Sequence, residues 1–203
     1  MQQSASPVDG RAARAARTRD AIVDACIGLV EEGDLRPTAP RIAERAGVSV
    51  RSVFQHFDDL PALHTAVIER IVERLAVLVV AIDPDLPLDD RVTAFVDHRA
   101  LLLEALLPFR RAAAVHGPFS PEIREAAARG SEFLGGEVAA AFGRDVERLP
   151  AAERRELLDA LAACASGAMW DALRSEMGDS PRQAQAVLDR TLRALLAGVP
   201  APG

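Results

Sequence analysis

The sequence predicts an all-α protein, with an N-terminal three-helix helix-turn-helix domain joined by a long helix to a C-terminal helical domain. Three observations carry this. The hydrophobic fraction is 49%, led by Ala and Leu, while aromatics are 4% and Tyr is absent, a balance that favours helices over sheets. Apolar residues recur at helical spacing in most segments, and none alternates with period 2. Two short helical patterns meet at Gly47, as in a helix-turn-helix.

Residues 1–17 are expected to form a disordered basic tail, because 1–10 are rich in Ser, Gln, Pro and Gly. Arg11, Arg14 and Arg17 recur there every third residue, with Arg19 close behind. They are either the frayed, solvated start of a helix or a basic arm touching phosphate or a minor groove. From Thr18, the residues Ile22, Ala25, Cys26, Leu29 and Val30 mark one buried face, and Gly33 stops that helix. Thr38 is a good N-cap for a second helix, whose first turn tolerates Pro40 and whose Ile42, Ala43 and Ala46 face inward. Gly47 ends it at a sharp turn, and Ser49 caps a third helix anchored by Val53 and Phe57. Val50, Arg51, Phe54 and Gln55 are left outside.

Asp59 and Pro61 open a fourth helix, expected to reach about Ile82 on the stripe Leu60, Leu63, Val67, Ile71, Leu75, Leu78 and Ile82. The segment Asp83-Pro84-Asp85-Leu86-Pro87 then breaks it. A boundary inside this helix divides a helix-turn-helix domain at 18–64 from a second domain at 65–203. Asp89 to Leu107 is helical on Val92, Phe95, Val96, Leu102, Leu103 and Leu106, and Pro108 kinks or ends it. Phe109 to His116 is a short piece closed by Gly117-Pro118 and Ser120-Pro121. Residues 121–146 are one helix or two, with a joint at Gly135-Gly136. Pro150 starts a helix to about Met177, and Ser180-Pro181 starts the last one, to about Ala197.

The net charge of -6 is uneven. Residues 1–57 hold 8 Arg against 7 acids, and residues 58–203 hold 16 Arg against 23, so +1 and -7 make up the total. All 24 cationic residues are Arg, which excludes phosphate-loop, Schiff-base and Ser-x-x-Lys lysine chemistry. Cys26 and Cys164 sit in apolar patterns far apart, so a disulfide framework is not expected and a reducing cytoplasm fits. No apolar run has the length and freedom from charge needed to span a membrane, and nothing resembles a secretory signal. Metalloprotease, Gly-x-Ser-x-Gly, dinucleotide and phosphate-loop motifs are absent, and no enzyme activity, cofactor or metal site is expected.

A short third helix exposing Arg51, Gln55 and His56 has the size and polarity to lie in a DNA major groove. The run Ile42-Ala43-x-x-Ala46-Gly47-Val48-Ser49, followed by Phe54 and His56-Phe57, resembles the DNA-binding domain of the TetR family of transcriptional repressors over about residues 18–65. The rest resembles that family only in helical layout and in the Ser180-Pro181 helix start. The resemblance implies that Thr38 and Arg41 contact DNA backbone or bases, and that Val50 and Arg51 read base edges. It implies phosphate contacts for Ser52, at a usual Thr position, and for His56. Phe54 stands at a usual Tyr position and lacks the hydroxyl; Leu60 stands at a usual Lys position and lacks the charge. Arg51 is the expected direct reader, since a guanidinium pairs bidentately with guanine, worth roughly 1–3 kcal/mol of discrimination.

The resemblance also makes residues 83–203 a ligand-binding and dimerisation domain. Ala160, Ala163, Cys164, Gly167, Ala168 and Ala172 put small residues on one side of the helix at 150–177, and Leu188, Leu192, Leu195 and Leu196 stripe the helix at 181–197. These faces either build a four-helix homodimer interface or pack within one monomer. An effector pocket is expected among Phe95, His98, Arg99, Leu102, Phe109, His116, Phe133, Met169 and Trp170, with Phe119, Phe142 and Arg110 nearby, which favours a hydrophobic small molecule. The expected function is a cytoplasmic, ligand-responsive repressor on a palindromic double-stranded DNA operator. The alternative is a helical protein-interaction module that has lost DNA binding.

Overall fold

The computed structural model describes residues 7–199. Its helices are α1 (Pro7–Glu31), α2 (Ala39–Ala46), α3 (Val50–His56), α4 (Leu60–Ala76), α5 (Leu88–His116), α6 (Pro121–Phe142), α7 (Ala151–Cys164), α8 (Gly167–Asp171) and α9 (Pro181–Leu196). A 3₁₀ turn at Gly117–Phe119 and a π turn at Ala172–Glu176 complete them. Among the described residues there is no strand, and no helix is long and apolar enough to cross a membrane.

The chain divides into two compact units. The first runs to Arg74 and includes Arg111–Ala126; the second is Leu75–Arg110 with the chain from Ala127 onward. The boundary therefore differs from the one expected at 64/65. The first ten residues of α4 beyond it stay with the first unit, where Arg70 donates to Asp20 and Asp24 (2.7 and 3.0 Å) and Arg74 to Asp24 (2.8 Å).

In the first unit, Ile22, Val23, Cys26, Ile27, Leu29 and Val30 of α1 pack with Ile42 and Ala43 of α2, Val53 of α3, Phe57, and Leu63, Ala66 and Val67 of α4. α1 begins at Pro7, not Thr18. The expected disordered tail is thus helical from residue 7, and its residues 1–6 lie outside the described residues. Ala and Arg propagate a helix well once a packed segment has nucleated it. α4 stops at Ala76 rather than Ile82. The β-branched Val77, Val79 and Val80 are exposed and gain no burial to offset their poor helix propensity.

The second unit closes around Phe95, Phe142, Leu103, Leu161, Trp170 and Leu192. Phe95 and Phe142 meet edge to face at 5.1 Å. Several expected breaks do not occur. α5 runs through Pro108, and α6 runs through Gly135-Gly136. The expected helix at 150–177 is interrupted instead, because the Ser166 hydroxyl accepts from Met169 N (3.2 Å) and caps a new helix. In the leucine stripe of α9, Leu188, Leu192 and Leu196 are buried in this unit's own core, while Leu195 is half-buried at its edge.

Arg91 and Asp145 form a buried ion pair in which Nη2 donates to both carboxylate oxygens (2.5 and 2.6 Å), while Nη1 donates to the Pro84 and Leu86 carbonyls. It fixes the turn before α5 to the segment after α6. Removing one partner strands a buried charge. Asp145→Ala is expected to lower the unfolding free energy by about 3–5 kcal/mol, read by urea denaturation. Replacing both residues, as Arg91→Met with Asp145→Leu, should restore most of that loss.

Candidate nucleic-acid interface

The interface is built by three local devices. Thr38 stands at the N-cap of α2 with extended backbone, but its hydroxyl makes no cap hydrogen bond, so the hydroxyl is left for another acceptor. Gly47 ends α2 at φ 66°, the left-handed region where glycine carries no Cβ penalty. The Ser49 hydroxyl then accepts from Ser52 N (3.1 Å) and starts α3.

Val53 and Phe57 are 1% and 4% exposed and pin α3 to the core. The Arg19 guanidinium lies 4.9 Å from the Phe57 ring centroid, a cation–π contact. That anchoring turns the other face of α3 outward. Val50, Arg51, Phe54 and Gln55 are exposed; Ser52 and His56 are half-buried. These six candidates are all the residues of α3 other than the buried Val53, and Thr38 and Arg41 of the preceding segment are also exposed.

Two arginines of α2 are already paired. Arg41 lies 2.8 Å from Asp34, and Arg45 makes a two-pronged pair with Glu32 (2.6 and 2.8 Å). The Arg45 guanidinium passes over Gly28, where a Cβ would meet it at 2.6 Å. This hydrogen bond holds the Glu32 carboxyl below its ordinary range and raises Arg45. Leu60, half-buried at the start of α4, brings no charge.

The remaining expected contacts separate. His116 belongs to the first unit, where its Nε2 lies 3.0 Å from the Leu35 carbonyl. A carbonyl only accepts, so that nitrogen carries the proton. Its ring is 5.2 Å from that of His64, whose buried Nδ1 has no hydrogen-bond partner among the described residues. In the second unit Phe95, Arg99, Leu102 and Trp170 are buried, His98, Phe109 and Met169 are half-buried, and Phe133 is exposed. Arg99 is held by protein through its two terminal nitrogens, while its buried Nε has no hydrogen-bond partner among the described residues. It donates to the carbonyls of Ala165 and Leu134 and to Glu137, each at 3.1 Å, and sits 4.7 Å from the Phe95 ring centroid. Its pKa is pushed down by burial, opposed by Glu137. Glu104, which sequence reasoning passed over, accepts from Trp170 Nε1 (2.9 Å) and from two nitrogens of Arg174. A carboxylate inside the apolar run Leu101–Leu107 was the available signal. Burial raises the thiols of Cys26 to about 12 and Cys164 to about 11, leaving them protonated and unsuited as nucleophiles at neutral pH.

No protein-family model and no curated protein matches the chain. Solved structures do. A putative TetR-family transcriptional regulator from Mesorhizobium loti is 19% identical at TM-score 0.59, covering 91% of this chain and 97% of its own. The multidrug binding protein EbrR, complexed with imidazole, is 22% identical at TM-score 0.57, covering 91% and 96%. NalD, the secondary repressor of the MexAB-OprM multidrug efflux pump in Pseudomonas aeruginosa, is 24% identical at TM-score 0.51, covering 91% and 96%. The fold is that of these all-helical regulators.

The His64 pKa is lowered, first by burial and then by the charge of His116, against the opposing pull of Glu122 and Asp59. The folded state therefore binds fewer protons than the unfolded one. Its stability is whole above the ordinary value of 6.5 and declines as pH falls through it. Unfolding free energy is expected to drop from about pH 7.5 to about pH 5.5. His64→Phe should flatten that limb; an equally steep limb in the variant would assign it to other groups.

Proposed function

We propose that this chain, with the fold of the TetR-family regulators, binds operator DNA as a homodimer and releases it when a small apolar molecule occupies its second unit. The observation that carries the reading is α3. Its capped start, its two buried anchors and its exposed Arg51 and Gln55 form a polar helix surface of the kind that enters a major groove. Arg51, with no side-chain partner among the described residues, is the base reader. Ser52, His56 and the unused hydroxyl of Thr38 bind phosphate; Val50 and Phe54 supply apolar contact.

Effector release is supported by analogy with a structural neighbour that binds multiple drugs and another that represses an efflux pump. Its apolar contacts are Phe95, Leu102, Phe109, Met169 and Trp170. The effector binds one of two conformations better and so shifts their populations. Half-sites lie about 34–36 Å apart, so a small change in the spacing of two α3 helices loses one of them. Dimerisation uses the outward faces of α7 and α9, where Ala163 and Ala168 nearby are exposed and permit close approach.

Selection of bound fragments from a random DNA pool tests the reading, with a palindromic consensus as the expected result. Failure to enrich any sequence would leave the interaction-module alternative standing. Arg51→Ala is expected to lose about 1–3 kcal/mol at one base pair and to relax preference there, whereas His56→Ala should weaken all sequences alike. If no apolar compound in a library alters DNA affinity, the release mechanism fails while DNA binding stands.

A further inference from the structure

Residues 10–17 of α1 bury no side chain: all are exposed, and the first fully buried side chain of the helix is Ile22. At 1.5 Å per residue, Arg11 stands about 16 Å beyond the packed core. The overhang carries Arg11, Arg14 and Arg17 three residues apart, hence along one side of the helix. None of these three side chains has a hydrogen-bond or ion-pair partner among the described residues. The contrast within the same unit is sharp, because Arg41, Arg45, Arg70 and Arg74 are each paired with Asp or Glu. Arg19 lies over Phe57 at the end of α3, so the helix that bears the three cations touches the segment closing the recognition helix.

We infer that the α1 overhang is a second DNA-binding element, which clamps the phosphate backbone beside the half-site through Arg11, Arg14 and Arg17. The inference rests on the DNA reading proposed above. Charge complementarity fixes the occupant: three unpartnered guanidiniums on one side of a helix match a row of phosphates. The overhang also adds cations to an interface that carries none at Phe54 and Leu60 and whose Arg41 is held by Asp34.

The experiment compares the full chain with the triple variant Arg11→Ala, Arg14→Ala, Arg17→Ala on the DNA selected by the wild type. Affinity is measured across a salt series. Alanine keeps the helix and removes only charge, and circular dichroism verifies it. The triple variant should keep the sequence preference, lose at least about tenfold in affinity at physiological salt, and show a salt slope smaller by about one for each phosphate contact removed. A control with the same charge change in the second unit, Arg129→Ala, Arg144→Ala, Arg148→Ala, should leave the slope intact. An unchanged slope in the overhang variant, or an equal change in the control, would overturn the inference while DNA reading stands. Failure of the wild type to bind any DNA would overturn both.

Discussion

A guanidinium sealed from water holds the second unit together. Arg99 is 0% exposed, a position in which an unpaired cation would be intolerable. It is tolerable because one planar fork reaches two carbonyls, one carboxylate and one aromatic face. Those partners lie on α5, on α6 and just after α7, so a single side chain fixes three segments. Arg91 repeats the device near the start of the same helix, joining the Pro84–Leu86 turn to Asp145. Arg174, which donates to Glu104 and to the Asp179 carbonyl, ties α5 to the π turn. The chain contains no Lys. A compact ammonium offers three donors without a fixed plane, and it could not span such sets. The apolar core forms around these struts rather than instead of them.

The first unit uses the same residue differently. Its paired arginines lie at the surface, against Glu32, Asp20 and Asp24. Exposed pairs of this kind contribute little stability each. Packing of Ile22, Ile42, Val53, Phe57 and Leu63 carries the unit, and the ion pairs select how α2 and α4 lie on α1. Loss of a partner is therefore costly at the buried Arg91 and Arg99 and cheap at the exposed pairs of the first unit.

How much of this is written locally decides how much could be read from the sequence. The turn at Gly47, the Ser49 cap and the Val53–Phe57 anchor each act within a few residues, and all three were legible. The end of α4 was not. The stripe through Leu75, Leu78 and Ile82 reports apolar character, while whether a partner surface exists is a tertiary fact, and these residues are only half-buried. The α9 leucines illustrate the same limit, since periodicity announces a buried face without saying what buries it. Arg99 looked like a free polar contact because its three acceptors lie 35 to 66 residues away in sequence. The Ser166 cap was locally visible and was overlooked in a run of alanines.

The pair between Arg41 and Asp34 has a consequence for measuring the interface. An arginine facing solvent condenses mobile anions, and a phosphate frees the ions on both sides. Arg41 instead carries its counter-ion covalently, as a carboxylate seven residues back in the same chain. A phosphate binding there would exchange one oxyanion for another and leave the largely buried Asp34 carboxylate without its guanidinium. Under the proposed DNA reading, that exchange would be nearly invisible to added salt, so an ionic-strength titration would undercount any phosphate contact at Arg41. The cost would appear in the affinity itself, as repulsion between the displaced carboxylate and the proposed DNA partner.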